Sequence, residues 1–245
     1  MVTMTTMCFG LSSIRFALDE KWEISVAFIL VAAFLDGIDG RLARLFNASS
    51  EFGAQLDSLA DFVNFGVSPA IVIYLWTLHT IPYKGVGWAL VLFYIICCAI
   101  RLARFNTNLD DDEIPEWMDK FFTGIPSPVG AALAIAPMTL SFQFNDDFFR
   151  TPEWVGGYMI LIAALMASRI PTISIKKIGV SSEYMWLTLM IAVLLLAALF
   201  TQPWITLPII GVVYIISIPF SCVRYLRLQQ ADEEVEKIAS PSLKS

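Results

Sequence analysis

Four aspartates, Asp36, Asp39, Asp57 and Asp61, stand at the ends of two strongly apolar stretches. Carboxylates beside hydrocarbon are costly to keep ionised, so this quartet needs cationic partners. Asp36 and Asp39 are three positions apart, and Asp57 and Asp61 four apart, spacings that place each pair on one face of a helix. Two such helices facing each other would bring all four groups to one point. Oxygen-only ligands suit hard cations, so Mg2+ or Mn2+ is expected. Two such ions about 3.5–4 Å apart can hold both the attacking and the leaving oxygen of an in-line phosphoryl substitution, an arrangement suited to cleaving a pyrophosphate. The structural alternative is an ion pair with Arg41 or Arg44, but four acids against two arginines leaves charge unmatched.

The elements that must position these groups are membrane helices. Hydrophobic residues make up 57% of the chain and charged residues 16%, against about a quarter charged in soluble domains. Apolar stretches fall near residues 4–18, 24–45, 57–79, 86–104, 127–144, 155–170, 184–200 and 203–225. Each can be matched to the roughly 30 Å hydrocarbon core of a bilayer. The fold expected is therefore an all-α integral membrane protein of about eight transmembrane helices. Residues 1–230 are expected to form a single transmembrane catalytic domain, and 231–245 a disordered cytoplasmic tail. The one linker of any size is Asn106 to Gly124.

Orientation follows from the basic residues, because cytoplasmic loops are enriched in Lys and Arg. Placing the 46–52 loop inside also places Arg41, Arg44, Arg101, Arg104, Lys120, Arg169, Lys176, Lys177, Arg224, Arg227, Lys237 and Lys244 inside, leaving only Arg15, Lys21, Lys84 and Arg150 elsewhere. The four aspartates then lie at the cytoplasmic ends of the second and third helices. A cytoplasmic-facing site in the inner (cytoplasmic) membrane is expected.

The net charge of -6 owes much to Asp110, Asp111, Asp112 and Glu113 and to the Glu-rich tail. No basic stripe suggests nucleic acid as a partner, and the acidic run reads as a solvated loop. Cys8, Cys97, Cys98 and Cys222 all lie in apolar stretches and read as small hydrophobes without a redox role. The single histidine, His79, lies at the far end of the third stretch from Asp61 and reads as an interfacial residue.

Written out, residues 36–61 are DGIDGRLARLFNASSEFGAQLDSLAD, which fits D-x2-D-G-x2-A-R-x8-G-x3-D-x3-D at every fixed position. With each position matching by chance about one time in fifteen, eight coincide about once in 10^9. The chain resembles the CDP-alcohol phosphatidyltransferases. Gly40, Gly53 and Ala43 would keep one wall shallow for a bulky ligand, and Arg44 offers a fork suited to phosphate. Close helix packing is the alternative reading of the two glycines.

The resemblance implies a six-helix core followed by two C-terminal helices, and a reaction in which CDP-diacylglycerol and an alcohol give a phosphatidyl-alcohol and CMP. It implies that Asp36, Asp39 and Asp57 bind two divalent cations. Asp61 would join the metal site and act as general base toward the alcohol, with no enzyme nucleophile. It further implies that Gly40, Ala43, Arg44 and Gly53 line the CDP-diacylglycerol pocket, and that the protein forms a homodimer. In similar proteins a Pro-Asn dipeptide and a basic arm precede a Thr-rich stretch like Thr3, Thr5 and Thr6 here, so the first helix is expected to begin upstream of Met1.

The acceptor must be read from outside the motif. FVNFGVSPA after Asp61, RLARFN at 101–106 and GIPSPVGAA at 124–132 look like the serine-using branch of the family, so L-serine is the expected substrate. Arg101 and Arg104 can meet its carboxylate, with Asn64 and Asn106 as polar neighbours. Glycerol 3-phosphate, inositol phosphate and choline remain alternatives. A choline cage could use Phe62, Phe65, Tyr74 and Trp76. A cation-coupled transporter is the reading from another class, disfavoured because the acids lie at helix ends on one side and no inverted repeat is visible.

Overall fold

The computed structural model describes residues 2–45, 51–108, 121–144, 147–173 and 185–239. Each of the eight apolar stretches is helical over most of its described length. They comprise α1 (Val2–Leu18), α2 (Trp22–Leu45), α3 (Glu51–Asp61) continued by a π-helical turn (Phe62–Val67) into α4 (Ser68–Trp76), and α5 (Val86–Asn108). Then come α6 (Ser127–Ala134), α7 (Ala136–Phe144), α8 (Pro152–Ala167), α9 (Met185–Thr201) and α10 (Pro203–Ala239). Phe52–Trp76, Val86–Thr107, Ser127–Phe144 and Pro203–Gln230 are long and apolar enough to cross a membrane, and α1, α8 and α9 are shorter apolar helices.

The buried core gathers Phe65, Ile73 and Trp76 of the third rod, Tyr94 of α5, and Met159, Ile162 and Met166 of α8. Outside it, Leu189, Leu194 and Phe200 of α9 and Val213, Ile216 and Phe220 of α10 are exposed. Such a belt suits a hydrocarbon solvent, in which only the backbone has to satisfy its polar groups internally.

Two breaks in the helices share one cause. Proline has no N–H, so the carbonyl four residues earlier loses its helical donor. Pro69 deprives Phe65 and Pro137 deprives Leu133. In each case a tyrosine of another helix supplies the missing hydrogen: Tyr94 Oη donates to Phe65 O at 3.1 Å, and Tyr158 Oη donates to Leu133 O at 3.1 Å. At the first break the chain takes the π-helical turn, in which the Ser68 N–H reaches back five residues to Val63 O. At the second the helix is interrupted at Ile135, between α6 and α7.

The linker segments are not wholly irregular. Strands β1 (Phe121–Thr123) and β2 (Pro171–Ile173) form a small antiparallel ladder in which Phe122 faces Thr172. The pairing ties the α5–α6 connection to the end of α8 and fixes where α6 begins. Gly124 follows at φ +76°, where an added Cβ would stand 2.7 Å from Met166 O, so only glycine fits. Strands of three residues leave too short a pattern to be visible in the sequence. Helix α10 continues through 231–239, the first part of the stretch expected as a tail; 240–245, the acidic run 110–113 and Lys120, Lys176 and Lys177 lie outside the described residues.

Candidate functional site

Helix α2 carries Asp36 and Asp39, and α3 carries Asp57 and Asp61 at its final residue. The two helices bring the pairs together. Asp57 lies within electrostatic reach of both Asp36 and Asp39. Asp61 lies within reach of Asp57, and its side chain meets that of Asp36 at hydrogen-bonding range. Helix α1 closes the group from one side, where Thr3 Oγ1 donates to Asp39 Oδ2 at 2.5 Å. Further along α1, Gly10 lies so close to the π turn that an added Cβ would be 2.1 Å from Asn64 Oδ1.

Asp61 Oδ1 is buried and has no hydrogen-bond donor among the described residues. A carboxylate oxygen in that position is costly unless something positive approaches it. The donor set is oxygen only and carries several negative charges, which fits a hard divalent cation. Among the described residues no three acidic, histidine or cysteine side chains are gathered into a finished cation cage.

Asp36 and Asp61 border a cavity of about 560 Å3. Its charged end also holds Arg101 of α5, and its depth is lined by apolar side chains including Leu133 of α6 and Leu207 and Ile210 of α10. From Tyr214 to Leu207 the α10 wall runs about 10 Å along the helix. The last helix of the chain therefore forms one side of the site, a placement that nothing in the motif indicated.

Of the four residues expected around the acceptor, Arg101 alone lines this cavity. It is only 8% exposed; its Nη1 donates to Ser127 Oγ at 2.5 Å, its guanidinium lies 5.6 Å from the Phe105 ring centre, and its buried Nε has no acceptor among the described residues. Arg104 instead donates through Nη1 to Ala167 O and Ser168 O at 2.9 and 3.1 Å, capping the end of α8. Asn106 exchanges hydrogen bonds with Ser58, linking α5 to α3 beside Asp57. Asn64 is fully buried in the π turn.

Two residues of the site were not singled out in the sequence: Ser127, which holds Arg101, and Tyr214, which lines the cavity from within an apolar run. The aromatic residues considered for a choline cage do not converge on the cavity. Phe65 and Trp76 are core residues, and Tyr74 packs edge-on against Trp88. His79 occupies a 3-10 turn (Leu78–Thr80) at the other end of the rod, its Nδ1 3.1 Å from Tyr74 O.

Among the described residues, and apart from its own stretch of helix, nothing lies within 4 Å of where a Cβ on Gly40 would be, so no described neighbour packs on the face of α2 beside Asp39. Ala43 and Arg44 belong to α2, but their side chains lie outside the described residues, and Gly53 lies in the first turn of α3.

The fold and site together define an all-α, multi-pass membrane protein with an acidic cluster at the mouth of an apolar cavity. The chain belongs to the CDP-alcohol phosphatidyltransferase family, whose profile matches residues 1–223. It is 39% identical over 220 residues to a CDP-diacylglycerol–serine O-phosphatidyltransferase of Mycobacterium leprae, covering 90% of this chain and 72% of that one. A protein of the same name from Helicobacter pylori is 33% identical over 218 residues, covering 87% and 86%. One from Bacillus subtilis is 38% identical over 146 residues, covering 59% and 75%.

Proposed function

We propose that this protein transfers the phosphatidyl group of CDP-diacylglycerol to the hydroxyl of L-serine, giving phosphatidylserine and CMP. The observation that carries this reading is Asp61: a buried, donor-free carboxylate oxygen on the wall of a cavity that is charged at one end and apolar in its depth. Such a cavity matches a substrate with a pyrophosphate head and lipid tails. The names of the relatives support serine as the acceptor.

Asp36, Asp39 and Asp57 hold two divalent cations, Mg2+ or Mn2+, and Asp61 contributes to the same set. When bound, these cations neutralise the pyrophosphate and the charge that develops on the departing CMP. Asp61 takes the proton from the serine hydroxyl as its oxygen attacks the lipid-side phosphorus. The bond from that phosphorus to the CMP oxygen breaks, and CMP leaves. Gly40, Ala43, Arg44 and Gly53 line the cytidine and phosphate pocket, the open face at Gly40 leaving room for it.

Arg101 receives the serine carboxylate. Ser127 holds one arm of its guanidinium while Nε remains available to a new acceptor, and a fork of this kind binds carboxylates with charge-assisted hydrogen bonds. Arg104, Asn64 and Asn106 support the surrounding helices without touching the acceptor. The protein works as a homodimer in the cytoplasmic membrane, with the aspartate ends of α2 and α3 facing the cytosol, where serine is dissolved and diacylglycerol remains in the bilayer.

The test is direct. Purified protein in detergent, supplied with CDP-diacylglycerol, Mn2+ and radiolabelled serine, releases CMP and forms labelled lipid. Absence of CMP with every alcohol in a panel of serine, glycerol 3-phosphate, inositol phosphate and choline would overturn the enzymatic reading. CMP with another alcohol but not serine would overturn the acceptor alone.

A further inference from the structure

The π-helical turn Phe62–Val67 begins at the residue after Asp61. A π turn accommodates one residue more than an α turn, and one residue corresponds to about 100° of rotation in a regular helix. The turn thus sets the rotational phase between two parts of one rod. Below it, α4 is fixed in the core by Ala70, Val72, Ile73 and Trp76. Above it, α3 directs Asp57 and Asp61 toward α2. If the rod were regular throughout, the same core face on α4 would turn Asp61 away from Asp36 by about a quarter of a revolution.

The turn is held from outside the rod. Pro69 removes the donor that would close a regular turn on Phe65 O, and the fully buried Tyr94 replaces it through its hydroxyl at 3.1 Å. We propose that Tyr94 is a positioning residue for the reaction: its hydrogen bond to Phe65 O maintains the π turn that presents Asp61 to the acceptor. This inference rests on the assignment of Asp61 as general base. Tyr158 and Leu133 supply an internal comparison, because the same bond to a proline-freed carbonyl occurs there without a π turn and with no catalytic carboxylate beside it.

The experiment measures kcat, KM for both substrates and thermal stability in the full-length detergent-purified protein and its variants. Tyr94→Phe removes only the hydroxyl. It is expected to lower kcat by about 10^2-fold, the usual penalty for displacing a reacting group by about an ångström, with KM for CDP-diacylglycerol unchanged. Tyr158→Phe is expected to lose comparable thermal stability with kcat unchanged. Pro69→Ala returns an N–H to Phe65 O and allows the rod to become regular. It is expected to be as stable as the parent and to lose turnover, so a folded protein is available if Tyr94→Phe does not fold.

Wild-type kcat in Tyr94→Phe, equal kcat losses in Tyr94→Phe and Tyr158→Phe, or full activity in Pro69→Ala would each overturn the inference. Asp61→Asn separates the two levels. An inactive Asp61→Asn beside fully active Tyr94→Phe and Pro69→Ala refutes the positioning role alone, whereas an active Asp61→Asn refutes the assignment of the base.

Discussion

Arg101 Nη1 donates to Ser127 Oγ at 2.5 Å, joining α5 to the first residue of α6 at the charged end of the cavity. The bond fixes a guanidinium that is almost wholly buried and lies within electrostatic reach of Asp61. Burial of such a charge is tolerable only when its hydrogens are used, and Nε still awaits an acceptor. The side chain is anchored at one edge, and the proposed function gives its remaining donor to the carboxylate of the acceptor.

Arg101→Lys should therefore raise the KM for serine by about ten- to a hundredfold, because an ammonium keeps the charge and loses the fork. Ser127→Ala should raise it less. Steady-state CMP release at varied serine checks both; an unchanged serine KM in Arg101→Lys would remove Arg101 from the acceptor site.

Asp61→Asn should abolish turnover while nucleotide binding persists, since an amide can still coordinate weakly but takes no proton. Binding of CDP-diacylglycerol by isothermal calorimetry, run beside the activity assay, is the check. Joint loss of binding and activity would make Asp61 chiefly a metal ligand.

Gly40 offers a cleaner probe of the nucleotide side, because among the described residues nothing outside its own stretch of helix lies within 4 Å of a Cβ there. Gly40→Leu should leave the melting temperature unchanged or slightly raised, since leaving glycine favours a helix by about 1 kcal/mol. It should raise the KM for CDP-diacylglycerol steeply. A wild-type KM would mean that the open face of α2 is not where the ligand lies.

Gly10 should behave in the opposite way. A Cβ at that position would be 2.1 Å from Asn64 Oδ1, so Gly10→Ala forces α1 away from the π turn. A stability loss of about 1–3 kcal/mol is expected, the usual cost of overpacking, to be read from thermal unfolding. An unchanged melting temperature would show that α1 and the turn approach less closely.

Chelation with EDTA should stop CMP release, and either Mg2+ or Mn2+ should restore it. Manganese titration followed by electron paramagnetic resonance should show tight binding that weakens in Asp57→Asn. Undiminished activity after exhaustive chelation would leave the aspartates without their proposed cations.

The membrane class and the eight helical stretches could be read directly from the chain, because long apolar runs have few other solutions in a bilayer. The convergence of Asp36, Asp57 and Asp61 was also legible, since spacings of three and four impose one face on each helix. Which basic residue of α5 lines the cavity was not. Arg101 and Arg104 are three positions apart on α5 and both look like cations near a membrane boundary. One lines the cavity, and the other is taken by the carbonyls of Ala167 and Ser168, carbonyls that become available only because α8 ends beside α5.

By itself the sequence determined the membrane-spanning class, the family through a motif of eight fixed positions, and the two helix faces that carry the aspartates. These are local or compositional properties, set by periodicity and by which residues tolerate hydrocarbon. The tertiary structure decided which polar groups are already satisfied and which remain available. It gave Arg104 to a helix end, Arg101 to the cavity, Tyr94 to the carbonyl that Pro69 leaves open, and a wall of the site to α10. Each outcome depends on contacts between residues far apart in the chain, and hydrogen-bond demand at such contacts becomes visible only once the helices are packed.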